Sequence, residues 1–275
     1  MTTIPVSVMI FTLDEQVHLP SCLDALAWCD DVIVVDSFSS DGTRAICEQR
    51  GARFFQNRFE GFGHQRNWAI DHTVPKHEWI LILDADERVT PELVAEMAEV
   101  AKTDPNHVGA FRLRRRFYMW GRWLRFSSLY PSWVVRLIRN GRVRYSDRGH
   151  AETQQVEGRI MNLNGDLIDE NLKGIDEWFD RQNRYASKEA EFELDQEKNG
   201  LKLLDLFSRE PLERRAALKR LAWRIPARGH VYFLYSYFLR LGLLDGRPGF
   251  VFCLMKAGYQ NQIAIRKHHA RIASE

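Results

Sequence analysis

Trp79-Ile80-Leu81-Ile82-Leu83-Asp84-Ala85-Asp86-Glu87 is the stretch on which the reading of this chain turns. Its first five residues form an apolar run of strand length. Three carboxylates follow within the next four positions. A buried strand that runs into acids delivers them to the carboxyl edge of a sheet, where open α/β sheets bind ligands. Acids this close repel one another, and a divalent cation relieves that cost. Oxygen ligands of this kind suit Mg²⁺ or Mn²⁺, which in turn bind phosphate oxygens. The competing reading makes Asp84 and Glu87 caps for a helix starting near Pro91, but a cap needs one acid and not three.

Working outward toward the N-terminus, residues 6–11 (VSVMIF) read as a buried strand that meets Thr12-Leu13-Asp14-Glu15. A short helix is expected over 19–27, with Pro20 tolerated in its first turn. A second strand over 31–35 ends at Asp36. The turn-rich segment 37–43 follows, where Asp41 or a neighbouring serine is expected to cap a helix running through Arg50. A third strand is placed over 53–55 and a helix over 63–70. Strands alternating with helices imply a parallel sheet with right-handed crossovers. Thr12, Asp14, Glu15, Asp36, Asp84 and Asp86 should then share one crevice. No G-x-G-x-x-G follows the first strand, which argues against a dinucleotide-binding domain, and there is no P-loop signature.

A chain of 275 residues with 45% apolar content can hold one large domain, or one with an appendage. Cys22, Cys29, Cys47 and Cys253 lack metal-ligand spacing and read as small buried hydrophobes in a reducing compartment. No basic residue precedes the first apolar run, so a secretory leader is not expected. No apolar stretch reaches the roughly 20 residues of a spanning helix.

The tetrapeptides carry a resemblance when taken together. Thr12-Leu13-Asp14-Glu15, Val34-Val35-Asp36-Ser37, Ser40-Asp41-Gly42-Thr43, Gln65-Arg66-Asn67 and Asp84-Ala85-Asp86-Glu87 resemble, in order and spacing, the motif set of family 2 glycosyltransferases. The branch they most resemble is that of bacterial lipopolysaccharide-core and exopolysaccharide biosynthesis. The resemblance implies a GT-A fold, an α/β, Rossmann-like arrangement with a mostly parallel sheet. It implies that Thr12 and Glu15 line a nucleotide pocket and that Asp36 hydrogen-bonds the uracil or the ribose. Arg66 would lie near the base or diphosphate, with Asn67 beside it. Asp84 and Asp86 would be the D-x-D pair, Asp84 toward the ribose and Asp86 on Mn²⁺ or Mg²⁺.

In the second half, a helix over 91–102 opens at Thr90-Pro91-Glu92, and a strand covers 108–113. Residues 112–148 then carry eleven arginines against one acid, Asp147, with aromatic residues from Phe117 to Trp133 interleaved. Arginine with tryptophan and tyrosine suits a phosphate-bearing, partly apolar partner. Single-stranded nucleic acid is the competitor, and it is not expected, because an acid-lined crevice next door would repel a polyanion. A third reading pairs these arginines with acids elsewhere in the chain. Segments 133–138 and 142–145 read as a hairpin turned by Asn140-Gly141.

In the resembling branch a His with a nearby Glu in this region faces the acceptor, and a carboxylate serves as base. Here the spacing is His150-Ala151-Glu152, not an adjacent pair, so the base is left open between Glu152 and His150. Asp169 stands where many relatives have a His that completes the metal site. It either keeps that role, as an oxygen ligand can, or leaves the place to water.

Segment 174–193 reads as a charged helix and resembles the W-x-x-x-x-N-R-Y stretch of the branch through Trp178, Asn183, Arg184 and Tyr185. From Leu201 onward cations surround apolar residues, 231–239 is nearly all aromatic or aliphatic, and a turn is placed at 245–249. Short apolar helices flanked by cations fit an interfacial or re-entrant hairpin. The alternative is a helical subdomain packed on the core or on another protomer.

With the resemblance, the expectation is a GT-A catalytic domain over 1–170 and a helical, membrane-associating extension over 171–275. The expected activity is metal-dependent, inverting transfer of a sugar from a UDP-sugar to a lipid-linked or lipopolysaccharide acceptor. The expected place is the cytoplasmic face of the bacterial inner membrane, peripheral or monotopic, with a homo-oligomer allowed. Two rivals stand: a non-catalytic membrane-bound scaffold, and a D-x-D phosphatase. The latter wants Thr or Val at the fifth motif position, where this chain has Arg88.

Overall fold

The structure is a computed structural model that describes residues 3–148, 151–198, 208, 210–225 and 227–273. The chain runs β1 (Val6–Thr12), α1 (Leu19–Asp24), β2 (Val32–Asp36), α2 (Thr43–Gln49), β3 (Arg53–Gln56), α3 (Phe62–His72) and β4 (Trp79–Asp84). It continues through β5 (Glu87–Val89), α4 (Pro91–Thr103), β6 (Val108–Met119), β7 (Arg122–Trp123) and β8 (Ser132–Arg139). Then come β9 (Val143–Arg148), β10 (Ala151–Val156) and β11 (Arg159–Glu170). Contacts gather the chain into two units. The first holds Met1–Arg125, Tyr130–Asp147 and Ala151–Lys173; the second holds Phe126–Leu129 and the chain from Gly174 onward.

The first unit is built on a mixed sheet in the order β3-β2-β1-β4-β8-β6-β11-β5, with β7 paired to β6. The strands β3, β2, β1 and β4 are parallel, as the alternation of strands and helices requires. Both faces of β1 and β4 are covered, which is why they read as unbroken apolar runs. Val8, Ile10, Leu81 and Leu83 pack with Leu19 of α1 and Leu93 and Met97 of α4. Met9, Ile33, Ile80 and Ile82 point the other way, toward Ala69 and Ile70 of α3. The register sets Thr12 opposite Asp36 and Phe11 opposite Asp84. The polar strand ends therefore meet along one edge. The fold class is the one the sequence implied.

The acids of the opening stretch do not cap α4. Thr90 does, its hydroxyl accepting from the Leu93 N–H at 3.4 Å, with Pro91 in the first turn. Glu87 belongs to β5, which runs antiparallel to β11.

Two strand expectations are corrected. The turn at Asn140-Gly141 forms, with Gly141 at φ +79° and the Arg142 N–H donating to the Arg139 carbonyl at 3.1 Å. Its arms do not make a hairpin. The first, β8, lies between β4 and β6, where Leu137 and Ile138 are fully buried. The second, β9, pairs with β10 in a separate two-stranded sheet. Burying β8 on both edges satisfies more backbone and more apolar surface than a lone hairpin. Strand β6 also runs six residues beyond the expected Leu113. Its added arginines do not end it, because β11 lays Asp166 opposite Arg114 and brings Asp169 to Arg115.

The second unit contains α5 (Ile175–Lys198), α6 (Pro211–Ala222), α7 (Arg228–Leu234) and α8 (Gly246–Ile272). A π-helical turn (Tyr235–Leu239) and a 3-10 turn (Gly242–Asp245) connect α7 to α8. Ala186, Ala190, Tyr259 and Ile263 form its buried apolar centre. Beside them Glu193, fully buried, accepts from Arg228 at 2.7 Å and Lys267 at 2.9 Å. The turn expected over 245–249 is instead the start of α8. Pro248 sits in that helix's first turn, where its missing N–H costs nothing. Among the described residues no helix is long and apolar enough to cross a membrane.

Candidate active site

The edge formed by β1 and β2 is tied by Asp36. Its carboxylate accepts from the Thr12 hydroxyl at 2.9 Å, the Ser39 N–H at 2.9 Å, Gln56 Nε2 at 3.3 Å, and the Ser39 hydroxyl. A carboxylate has about four acceptor sites, so Asp36 is filled from within the protein. It fixes the loop after β2, and a contact from Asp36 to a base or ribose needs one of these hydroxyls to turn away.

The loops after β1 and β2 are laced together as well. The Asp14 N–H donates to Ser39 Oγ at 2.8 Å, and the Ser40 N–H donates back to Asp14 Oδ1 at 2.7 Å. Glu15 accepts from His18 Nδ1 at 2.6 Å and from Lys173 Nζ at 2.7 Å. His18 Nε2 accepts from the Leu172 N–H at 2.7 Å, so the ring proton sits on Nδ1. Glu15 thereby joins the loop after β1 to the chain beyond β11.

The acid cluster lies beside this edge. Asp84, at the end of β4, is bound by Arg136 of β8, which also donates to Glu87 at 2.7 Å. The Asp84 N–H donates to Glu87 Oε2 at 3.0 Å. Arg66 of α3 reaches Asp84 Oδ1 at 3.4 Å and binds Glu152 of β10 with its other nitrogen. Arg66 is buried, its guanidinium 5.8 Å from the Phe11 ring centre and 5.4 Å from that of Tyr145. Arg115 of β6 lies 3.3 Å from Asp169 Oδ2 and 3.9 Å from Glu87 Oε1. The Glu170 N–H donates to the Asp86 carbonyl at 3.1 Å, which brings the D-x-D loop against β11.

The charges divide this cluster. Burial pushes the Asp84 carboxyl up, but Arg136 and Arg66 outweigh it and hold Asp84 below the usual carboxylate range. Burial likewise pushes Glu87 up, and Arg136 does not fully offset it. Asp169 is pushed well up, first by burial and then by the charge of Asp86, with only Arg115 opposing. Asp84, Glu87, Glu152 and Asp169 share the guanidiniums of Arg66, Arg115 and Arg136, and the charge of Asp86 acts on Asp169 beside them.

Asp86 raises the Asp169 carboxyl, and the oxygens of both are the ligand type that Mg²⁺ and Mn²⁺ take. Among the described residues no three His, Cys, Asp or Glu side chains converge closely enough to cage a metal.

Asp169→Asn tests this electrostatic reading. A carboxyl whose pKa is raised in the folded state favours folding below its unfolded pKa, and that contribution is lost as pH rises through the folded value. At neutral pH the metal-free variant should therefore melt higher than the wild type, by roughly 2–4 °C for each kcal/mol relieved. The gap should close below about pH 4, where unfolded carboxyls also hold their protons. Added Mn²⁺ should stabilise the wild type more than the variant. Equal melting temperatures across the pH range would remove the Asp86–Asp169 repulsion from the account.

The other expected site residues are placed as follows. Asn67 Nδ2 donates to the Tyr145 carbonyl at 2.8 Å, and the Tyr145 N–H donates to Asn67 Oδ1 at 3.0 Å. Its amide pins β9 to α3 and is spent on backbone. Thr12, Glu15, Asp36, Arg66, Asp84, Asp86, Glu152 and Asp169 all belong to the first unit. His150 lies outside the described residues. The arginine-rich segment is largely used inside the protein. Arg114 and Arg116 converge on buried Asp166, Arg139 binds Glu78 and Asp104, and Arg144 binds Asp71. The reading in which these arginines pair with acids elsewhere is the one observed for them.

Arg115, Arg136, His18 and Lys173 were not singled out by sequence. Arg115 and Arg136 stand on adjacent strands, and only the pairing of β6 with β8 brings them to the same acids. Lys173 reaches Glu15 across 158 positions of sequence.

A family model described as glycosyl transferase family 2 matches residues 7–161, more than half of the chain. The chain belongs to glycosyl transferase family 2. Among curated proteins, this family 2 chain is similar to the lipopolysaccharide core biosynthesis glycosyltransferase LpsC of Rhizobium meliloti. The two are 28% identical over 93% of this chain and 89% of that protein. An uncharacterized glycosyltransferase of Rickettsia bellii is 36% identical over 34% of this chain and 31% of its own length. Among solved structures, S. aureus TarS in complex with UDP-GlcNAc aligns over 99% of this chain and 92% of that chain. Its TM-score is 0.44 and its sequence identity 14%, a likeness too distant to carry a function. As a family 2 glycosyltransferase, the chain keeps the D-x-D acids of its first unit at the carboxyl end of β4.

Proposed function

We propose that the chain transfers a sugar from a UDP-sugar to a hydroxyl of a lipid-linked or lipopolysaccharide acceptor, with inversion at the anomeric carbon and with Mn²⁺ or Mg²⁺. The observation that carries this reading is the gathering of Asp84, Glu87 and Asp169 at the strand ends, where burial and the charge of Asp86 push the Asp169 carboxyl up. A nucleoside diphosphate brings more negative charge to that place, so it binds with a cation or not at all. Asp86 and Asp169 would hold the metal, which when bound would stabilise the departing diphosphate. Arg115 and Arg66 supply fixed positive charge beside the same position. Asp84 faces the ribose in this reading, and the loop held by Asp36 and Thr12 shapes the base pocket. Glu152 or His150 takes the acceptor's proton as the new glycosidic bond forms. The likeness to LpsC, whose name places that protein in lipopolysaccharide core synthesis, supports this choice of acceptor.

The place of action in this reading is the cytoplasmic face of the bacterial inner membrane, reached peripherally or monotopically. A homo-oligomer is compatible with it. The phosphatase rival is set aside by membership of a transferase family. A scaffold without turnover loses support from the acid set, which is complete from Asp36 to Asp86.

The test is nucleotide release (a nucleoside diphosphate, or CMP from a CMP-sugar) from a panel of UDP-, GDP-, dTDP- and CMP-activated sugars, with Mn²⁺ or with EDTA, run beside thermal melting. A UDP-sugar should stabilise the protein and release UDP only when metal is present. Stabilisation by another nucleotide class would reassign the donor, and metal-independent turnover would overturn the role given to Asp86 and Asp169.

A further inference from the structure

The second unit carries an apolar hook that no step of sugar transfer uses. After α7 the backbone winds through the π-helical turn, reverses at Leu241 (φ +61°), passes the 3-10 turn and enters α8 at Gly246. Gly242 lies at the bend, where a Cβ would meet the Ser236 carbonyl, Cys253 Sγ and Ser127 Cβ. Beside the bend Phe233, Tyr237 and Phe250 pack ring on ring, with centroids 5.3 to 5.8 Å apart, and Phe250 is itself exposed. Leu239 is 77% exposed, and Phe238, Leu241, Leu243 and Leu244 are exposed beside it. Leu254 continues the apolar surface along α8. Isolated exposed leucines are ordinary, whereas a contiguous group on one bend marks a contact surface.

The stretch of sequence that holds the hook is almost wholly of one sign of charge. Residues 214–273 contain twelve Lys and Arg and a single acid, Asp245. That acid is turned inward and buried. It accepts from the Phe126 N–H at 3.0 Å, the Ser127 N–H at 2.7 Å and Ser127 Oγ at 2.6 Å. Arg228 and Lys267 are spent on Glu193, and Arg271 on Glu197. Arg224, Arg240 and Arg247 stay exposed near the hook.

We infer that this hook docks on an anionic lipid bilayer, with Phe238, Leu239, Leu241, Leu243 and Leu244 entering the acyl boundary and Arg240 and Arg247 meeting lipid phosphates. An apolar bend with a basic rim is the chemistry of an interfacial anchor. A second copy of this chain is the poorer occupant. A two-fold contact through the hook would set Arg240 and Arg247 against their own copies, with no outward acid in the stretch to pair with them. The docking deepens the proposed function, on which it rests for its purpose, by holding the enzyme where a lipid-linked acceptor is presented.

The test is co-sedimentation of the full chain with vesicles of phosphatidylcholine alone, or of phosphatidylcholine and phosphatidylglycerol in equal parts. UDP binding with Mn²⁺ is measured in the same samples. The wild type should bind the anionic vesicles and bind the neutral ones weakly. High salt should release only part of it, since buried apolar area is not screened. Leu239→Asp combined with Leu244→Asp should lower partitioning by about tenfold or more, the worth of burying exposed leucines. Arg240→Glu combined with Arg247→Glu should remove the preference for anionic lipid. Neither pair should change UDP binding, so a failed catalytic reading and a failed docking reading give different results. Wild-type protein that stays in the supernatant with anionic vesicles overturns the inference. So does an oligomer that the leucine variants dissociate, which would give the hook to a second copy.

Discussion

Asp86→Ala is expected to lower sugar transfer by on the order of 10³-fold, the loss typical when a charge-stabilising group is removed from a transition state. The expectation comes from where Asp86 sits. Its charge is the largest single influence on Asp169 after burial. Removing Asp86 takes that charge from beside Asp169, so the metal-free fold should survive and Asp169 should ionise more readily. Metal-dependent donor binding should disappear with the activity. Calorimetric titration of Mn²⁺ and UDP into the variant, beside the rate of UDP release, checks both parts. Activity within a few-fold of wild type would place the metal elsewhere.

Glu152→Gln is expected to slow transfer by roughly 10²- to 10⁴-fold, the usual contribution of a general base. The amide keeps an oxygen for Arg66 and nearly the same volume, so Arg66 should stay between Phe11 and Tyr145 with its second contact on Asp84. Donor affinity should therefore hold while turnover falls, a split that loss of a purely structural ion pair would not give. His150→Asn, measured the same way, decides between the two candidates. If neither variant slows the reaction, Asp169 and Glu170 are the next carboxylates to test. Of these Glu170 is the less free, since Arg88 binds it at 2.7 Å.

Much of the first unit was legible along the sequence because parallel strands buried on both faces leave continuous apolar runs. The strand at Trp79, the one at Val6, the cap at Thr90 and the convergence of Thr12 with Asp36 all followed from local pattern and the rule of alternation. The hairpin at Asn140-Gly141 did not follow. A turn signal reports four residues of backbone, while the partners of each arm depend on which sheet edge can bury them. For β8 those partners were β4 and β6, contributed from far along the chain.

The sequence alone determined the chemistry available to the site, because carboxylates at a strand end are fixed by strand length and side-chain alternation. Tertiary structure decided the allocation of charge. Eleven arginines in one segment look like a surface for a polyanion until register places Asp166, Asp169, Glu87 and Asp84 against four of them. It decided that Asp36 faces inward to hold a loop and Asn67 to hold β9, and that the one acid of residues 214–273 is turned inward at the hook. The physical reason is the same throughout. Hydrophobic periodicity is a local property that the chain carries along its length, whereas the pairing of a buried charge depends on residues tens of positions away, which only the closed sheet brings within hydrogen-bond reach.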